Sequence, residues 1–372
     1  MRILHISEAF TGGLFASVTS LANGLADRGH DVHIAYSRRA ETPDDVGAHL
    51  RRCVVLHELR LARAIDPRAD ASGLIAIRRL VRALNPDIVH LHSSKAGVLG
   101  RVAARLGGVA NRVFYSPRGL SFLQEDRSRA ARRVYQAIEW TTAHFGGIVV
   151  ACSQSELDMI RSRIRPRRAV LVENGIDVAA ISPWRERGDG RVVIAAAGRL
   201  TFARNAPLFA RIAAATAAPN VDFIWLGDGD AADRAVLEGA GVQVTGWLPR
   251  EEVLSRMSSI DVHLHPSRWE GMPIALIESQ VAGVPAVATD VVGNRDVVEH
   301  GVTGYVGTRP DELAMHVRRL VADAALRRRL GTNARDHALA RFNLTRVVDD
   351  FERLYASAVT GVPARRKRWL RR

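Results

Sequence analysis

Glu270 and Glu278 bracket the segment Glu-Gly-Met-Pro-Ile-Ala-Leu-Ile-Glu, two carboxylates with seven residues between them. That spacing is about two helical turns and predicts both side chains on roughly one face of a helix. Gly271, Met272 and Pro273 read as its first turn, where unpaired N–H groups and the helix dipole attract anions. Two solvated glutamates on an ordinary amphipathic helix would show the same spacing, so the flanks decide. Val262–Leu264 reads as a short buried strand, His265-Pro-Ser267 as a turn, and Gly283-Val-Pro285 as a helix stop before a strand at Ala286–Thr289. A carboxylate at the carboxyl edge of a strand, opening a helix, is where open parallel sheets bind ligands. Hydroxyl acceptors beside an anion cradle suit a nucleotide sugar, which carries ribose and sugar hydroxyls and a diphosphate.

Other polar groups fall at equivalent strand ends. Thr11-Gly12-Gly13 follows the first strand and opens a helix, where glycines let backbone N–H groups approach a phosphate or sugar. The full G-x-G-x-x-G pattern is missing, which argues against a dinucleotide dehydrogenase. Arg199 and Arg204, in Gly-Arg-Leu-Thr-Phe-Ala-Arg-Asn, bring two guanidiniums to a strand end in the second half of the chain, suited to a diphosphate and its developing charge. In His90-Leu-His92-Ser93-Ser94-Lys95, alternation sends His90 and His92 to one face, and the serines are candidate caps for the next helix. Asp228-Gly-Asp230 reads as a turn and N-cap rather than a metal motif. No metal-ligand spacing occurs, so no metal and no cofactor are expected.

These groups need a scaffold, and the apolar runs supply one. Strands are expected at Arg2–Ser7, 31–35, 87–90, 112–116, 147–151 and 169–172, alternating with helix-period stretches. Ser153 with Glu156 three residues later reads as a capping box. The pattern restarts after Asn174-Gly-Ile-Asp177, with strands at Val192–Ala197, 222–226, 243–246, 262–264 and 286–289. The expected fold class is α/β, with two successive doubly wound domains at 1–173 and 174–343. A last helix from about Leu344 would cross back to the first domain, within a segment running to 372.

At 372 residues, two cores are the natural division. Hydrophobic residues make up 47% and charged ones 25%, which excludes a disordered chain. No apolar run approaches the roughly 18 residues needed to span a bilayer. Two cysteines, Cys53 and Cys152, fit a reduced, cytoplasmic protein. The excess of 53 Lys+Arg over 39 Asp+Glu, a net +14, favours anionic partners. It concentrates at 161–168, with five arginines, and in the tail 364–372, where six cations flank Trp369 and Leu370. That tail suits an anionic membrane surface. Aromatic content of 6%, with no recognition helix or zinc spacing, argues against nucleic acid.

Taken in order, Asn174-Gly-Ile-Asp, Gly-Arg-Leu with a basic residue five on, Trp225-Leu-Gly-Asp-Gly, Glu270-Gly-Met-Pro-x5-Glu278 and Gly283-Val-Pro resemble the retaining glycosyltransferases of family 4, which have the GT-B fold of two facing Rossmann-like domains. The stretch from His92 to Arg101 resembles members that build surface polysaccharides. The resemblance implies that Glu278 accepts the ribose hydroxyls, Glu270 holds the donor sugar, and Arg199 and Arg204 clamp the diphosphate. Gly271, Met272 and Pro273 would form the donor loop, Gly12 and Gly13 would face the reacting centre, and the backbone of Trp247 and Leu248 would contact the base. Asn174, Ser93 and Lys95 would line the substrate cleft. One position departs: where the family usually reads Thr-Pro-His-Gly, this chain has Ser116-Pro117-Arg118-Gly119. An arginine cannot be a base at neutral pH. Either Arg118 supplies charge near donor or acceptor, or His92 takes the missing imidazole's place.

The implied activity is retaining transfer from a nucleoside-diphosphate sugar, UDP ahead of GDP, to a carbohydrate or polyprenyl-linked acceptor in polysaccharide or glycolipid synthesis, peripheral to the inner membrane face. The rival readings are a UDP-sugar 2-epimerase on the same fold and a non-catalytic nucleotide-sugar-binding protein.

Overall fold

A computed structural model of the chain describes residues 1–360. The basic tail at 364–372 lies outside them. The first half builds a seven-stranded parallel sheet from β1 (Arg2–Ser7), β2 (Asp31–Tyr36), β3 (Val55–Glu58), β4 (Ile88–His92), β5 (Val113–Ser116), β6 (Ile148–Ala151) and β7 (Ala169–Leu171), in the order β3-β2-β1-β4-β5-β6-β7. The second half builds a six-stranded parallel sheet from β8 (Val192–Ala197), β9 (Val221–Leu226), β10 (Gln243–Val244), β11 (Val262–His265), β12 (Ala286–Thr289) and β13 (Gly304–Gly307), in the order β10-β9-β8-β11-β12-β13. Each sheet reverses its winding once, between β1 and β4 and between β8 and β11. At such a switch point the loops at the strands' carboxyl ends diverge and leave a crevice.

The central strands are apolar on both faces because helices cover both. Ile3, Ile34 and Phe114 pack on one side of the first sheet with Leu21 of the helix Gly12–Ala26; Leu4, Leu91 and Tyr115 pack on the other with Ile77 of the helix Pro67–Leu84. The edge strands β3 and β13 carry no expectation from sequence. Val55–Glu58 is half exposed with no apolar run, and Gly304-Tyr-Val-Gly begins and ends with glycine. Elsewhere the expected strands form, with ends shifted by a residue or two.

The last helix, Leu344–Thr360, returns to the first sheet. Val347, Val348, Phe351, Leu354 and Tyr355 join that domain's core, each contributing about 1.5–3 kcal/mol of burial. At its rim Arg28 pairs with Glu352 at 2.6 Å and with Asp349. The two connections between the domains run side by side: Ile176 N–H donates to the Phe342 carbonyl at 2.9 Å, and Leu344 N–H to the Ile176 carbonyl at 2.9 Å. Gly175 is required there, since a Cβ would lie 2.8 Å from the Phe342 carbonyl oxygen. The two crossings thus join the domains side by side at one place.

Candidate active site at the interdomain cleft

Arg204 and Glu270 form an ion pair. Their loops are tied together first. After β8, Asn205 takes a left-handed φ of 58° and its amide donates to the Pro266 carbonyl at 3.1 Å, while Arg268 N–H donates to the Ala203 carbonyl at 2.8 Å. Asn tolerates that conformation, so the loop ends in a sharp turn that aims Arg204 at the loop after β11. His265 Nε2 lies 3.3 Å from Glu270 Oε1 and 3.2 Å from Ser267 Oγ. Burial would raise the Glu270 pKa, yet the charge of Arg204, with His265 and Ser267 hydrogen-bonded to the carboxylate, holds it at about 2. Burial lowers the His265 pKa although Glu270 opposes that, so the imidazole is neutral at pH 7.

Glu278 lies in the helix Ile274–Ala282 and pairs with Arg250. Its side chain is 3% exposed; burial pushes its pKa up and Arg250 opposes that. The two glutamates do not share a helical face. The helix begins only at Ile274, because a proline at 273 disfavours the α conformation at Met272 and makes 273 the N-cap. Gly271 and Met272 therefore precede the helix as a loop. The helix start carries no side-chain cap, which leaves its first amides free to face an anion.

That loop meets the first domain. A Cβ on Gly271 would stand 2.6 Å from Gly119 N and 2.9 Å from the Arg118 carbonyl carbon, so only glycine allows the approach. Ser153 Oγ donates to the Gly271 carbonyl at 2.8 Å and Asn174 Nδ2 to the Met272 carbonyl at 2.9 Å. Gly293 N–H donates to Ser155 Oγ at 2.9 Å, and Ser155 N–H to Asp296 at 3.0 Å. Farther out, Arg199 reaches Glu41 of the first domain, an ion pair across the cleft. Gly13, at the uncapped start of the helix Gly12–Ala26, faces the same loop, with Ile274 Cγ1 3.5 Å from where its Cβ would be.

Several expected site residues are placed differently. His92 is fully buried: its Nε2 is 3.0 Å from His5 Nδ1, and its ring stacks on His5 and leans on His90. Packed between His5 and His90 it has no exposed surface to offer a substrate, while its neighbour His90 lies under the helix Leu344–Thr360, its Nδ1 2.6 Å from the Tyr355 hydroxyl. Lys95 is spent on Asp70 and on the Ala64 carbonyl at 2.7 Å. Ser93 stands at the helix N-cap but makes no capping bond, and its φ of 72° departs from the extended cap geometry. Asn174 uses its amide on Met272 and Arg118, as a clamp between domains. Trp247 is 63% exposed and Leu248 packs at the edge of the second core. Ser153 accepts from Glu156 N–H at 3.2 Å, but the Glu156 carboxylate accepts instead from Gly119 N–H at 2.9 Å and Cys152 N–H at 2.8 Å, so the capping box is half made. Asp230 caps its helix as expected.

The sequence reading does not assign Glu41, Arg250, Glu156, His265 or Ser267 to the site, giving Glu156 only a cap and His265 and Ser267 only a turn. The last two carried a usable signal, being polar residues at the carboxyl end of a buried strand. Among the described residues, His5, His90 and His92 are the group whose nitrogens, within 4.8 Å of one another, could hold a metal. Four of their six ring nitrogens already have protein hydrogen-bond partners.

The family profile described as Glycosyltransferase Family 4 matches residues 11–180, and that described as Glycosyl transferases group 1 matches 181–337. An Escherichia coli UDP-Gal:alpha-D-GlcNAc-diphosphoundecaprenol alpha-1,3-galactosyltransferase is 26% identical over 324 residues, 80% of this chain and 82% of its own. Among solved structures, the sucrose-phosphate synthase of Thermosynechococcus elongatus superposes with a TM-score of 0.82 at 19% identity, over 97% of this chain and 100% of the other. Anabaena HepE in complex with UDP and glucose gives 0.78 at 19%, over 96% and 100%. At those identities the superpositions speak to fold alone. One profile covers β2 to β7 and the other β8 to β13, and they meet between residues 180 and 181, just past the first crossing between the domains. The chain belongs to glycosyltransferase family 4 and has the GT-B fold.

Proposed function

We propose that this chain is a retaining, metal-independent glycosyltransferase. It would move a sugar from a nucleoside-diphosphate donor, UDP rather than GDP, to a hydroxyl of a lipid-linked glycan at an anionic membrane surface. The observation that carries the reading is the Arg204–Glu270 pair beside the Gly271–Met272 loop, at the carboxyl ends of β8 and β11. Glu270, ionised at about any working pH, accepts sugar hydroxyls; Glu278 accepts those of the ribose. Arg204, Arg199 and the free amides at Ile274 stand where charge develops on the departing phosphate, the largest single service a transferase site can give. The acceptor hydroxyl attacks on the face that the phosphate leaves, and the phosphate takes its proton. No protein base is needed, which makes an arginine at 118 tolerable. On the first domain a groove of about 370 Å³, with Arg129, Arg132, Arg133 and Arg163 over Phe122 and Met159, supports an anionic, lipid-linked acceptor.

The test is product analysis with a panel of nucleotide sugars, with and without a polyprenyl-diphosphate glycan, in the presence of EDTA. Retained anomeric configuration and acceptor-dependent turnover in EDTA are expected. Turnover of donor alone to its 2-epimer would replace the reading with an isomerase.

A further inference from the structure

Arg118 differs from the other cleft arginines in having no counter-ion. Arg199, Arg204 and Arg250 each pair with a carboxylate. Among the described residues Arg118 has one hydrogen-bond partner, Asn174 Oδ1 at its Nη1; its Nε is buried without a partner there, and none of them bonds its Nη2. The groups around it do not compensate. His5 and His92 behind it are buried and held neutral, in part by its own charge. Tyr355 is likewise kept protonated by burial. Among the described residues Glu156 is the carboxylate acting on it, but its oxygens serve Gly119 N–H, Cys152 N–H and Cys152 Sγ, and burial pushes its pKa up. A guanidinium keeps its proton in proteins, so the charge persists with its desolvation only partly offset, and an arriving anion would complete the compensation.

Backbone geometry fixes where the guanidinium sits. Arg118 adopts a φ of 58°, a left-handed conformation that costs a branched-off side chain about 1–2 kcal/mol and that the Pro117–Gly119 turn imposes. The turn abuts Gly271, and Asn174 links the guanidinium to the Met272 carbonyl. The cation therefore borders the loop that holds the donor sugar, on the wall opposite Arg204. The diphosphate has its own cations on the second domain.

We propose that Arg118 selects a donor whose transferred sugar bears a carboxylate, a nucleoside-diphosphate uronic acid, by presenting its Nε–Nη2 edge to both carboxylate oxygens. This deepens the reading of the cleft as a nucleotide-sugar site and rests on it. The planar fork of arginine matches a carboxylate with two parallel hydrogen bonds, and a neutral hydroxymethyl group at the same place would leave the charge uncompensated.

Calorimetric titration of UDP, UDP-glucose and UDP-glucuronate, with UDP-galactose and UDP-galacturonate as the second epimeric pair, tests it on the unaltered protein. The uronate of at least one pair is expected to bind about 10- to 100-fold tighter than its neutral counterpart, the range of a charge-assisted contact. Arg118→Gln should erase that ratio while leaving UDP, which has no sugar, at its original affinity; Arg118→Lys should restore part of it. Equal affinity within both pairs overturns the proposal and leaves the wider reading standing. Arg118→Gln weakening UDP as much as the uronate also overturns it, because the guanidinium would then serve the diphosphate. Absence of any UDP binding takes down both.

Discussion

Arg204 and Glu270 are 66 positions apart in sequence, yet their side chains neutralise each other at the carboxyl ends of adjacent strands, β8 and β11. Each is also the group proposed to hold a different part of the donor, Arg204 the diphosphate and Glu270 the sugar. The pair thus fixes, before donor arrives, the separation at which phosphate and sugar must lie.

Removing either partner should cost turnover more than binding. Arg204→Ala and Glu270→Gln are each expected to lower kcat about ten- to a thousandfold, the range for one lost charge-stabilising contact. A pH signature separates the two. Arg204 opposes the burial that would otherwise raise the Glu270 pKa from about 2, so in Arg204→Ala that pKa moves up. The acid limb of the residual kcat profile should therefore shift to higher pH. Near-normal kcat in both variants removes the assignment.

The pair between Arg199 and Glu41 makes an opposite prediction for its two members. Both side chains are roughly a third to a half exposed, so the pair adds little stability, about 0–1 kcal/mol. Its effect lies in occupying Arg199. Glu41→Gln frees the guanidinium and should tighten UDP several-fold, whereas Arg199→Ala should loosen it. Unchanged dissociation constants in both would show that Arg199 is no ligand of the diphosphate.

The layout of the fold was legible in the sequence, because β1, β8 and β12 are short apolar runs that must be buried on two faces, and Gly or Pro punctuates the ends of β8 and β12. The edge strands β3 and β13 lack that pattern. The candidate site was legible where a side chain lies in the loop leaving a strand's carboxyl end, as for Arg204 after β8 and Glu270 after β11. It was not legible where tertiary pairing decides. Lys95 reads as a free cation until Asp70, 25 positions earlier, is placed beside it. His92 reads as a cleft residue until His5, 87 positions earlier, is stacked against it. Proline 273 did carry a warning: the residue before it resists the helix that the Glu270–Glu278 spacing suggests.

Glu278 should matter to the nucleoside and not to the sugar. Glu278→Gln keeps the shape and removes the charge from a buried acceptor paired with Arg250. The UDP dissociation constant is expected to rise about 10- to 100-fold, as for a lost hydrogen bond to a charged group, and the ratio between different UDP-sugars to stay constant. A changed ratio with unchanged UDP affinity would move Glu278 to the sugar.

The buried histidines of the first domain should make stability fall with acidity well above the carboxylate range. Burial lowers the His5 pKa from 6.5 to about 3, with Arg118 adding to the effect, and lowers those of His90 and His92 as well. A group that titrates lower folded than unfolded takes up its proton first in the unfolded chain. Its contribution is complete above about pH 6.5 and is lost as pH falls toward the folded value. Each such histidine should cost about 1.4 kcal/mol per pH unit below that point. The groups facing the cluster from neighbouring elements, Ser116, Tyr355 and Arg118, include no carboxylate that could stabilise an imidazolium. Thermal melting between pH 7.5 and 5.5 stays above most carboxylate titration and should show a falling Tm; His5→Gln should flatten the slope by about one histidine's share. A Tm that is level across that interval in the unaltered protein would mean that the cluster accepts protons in the folded state, which its burial beside a guanidinium argues against.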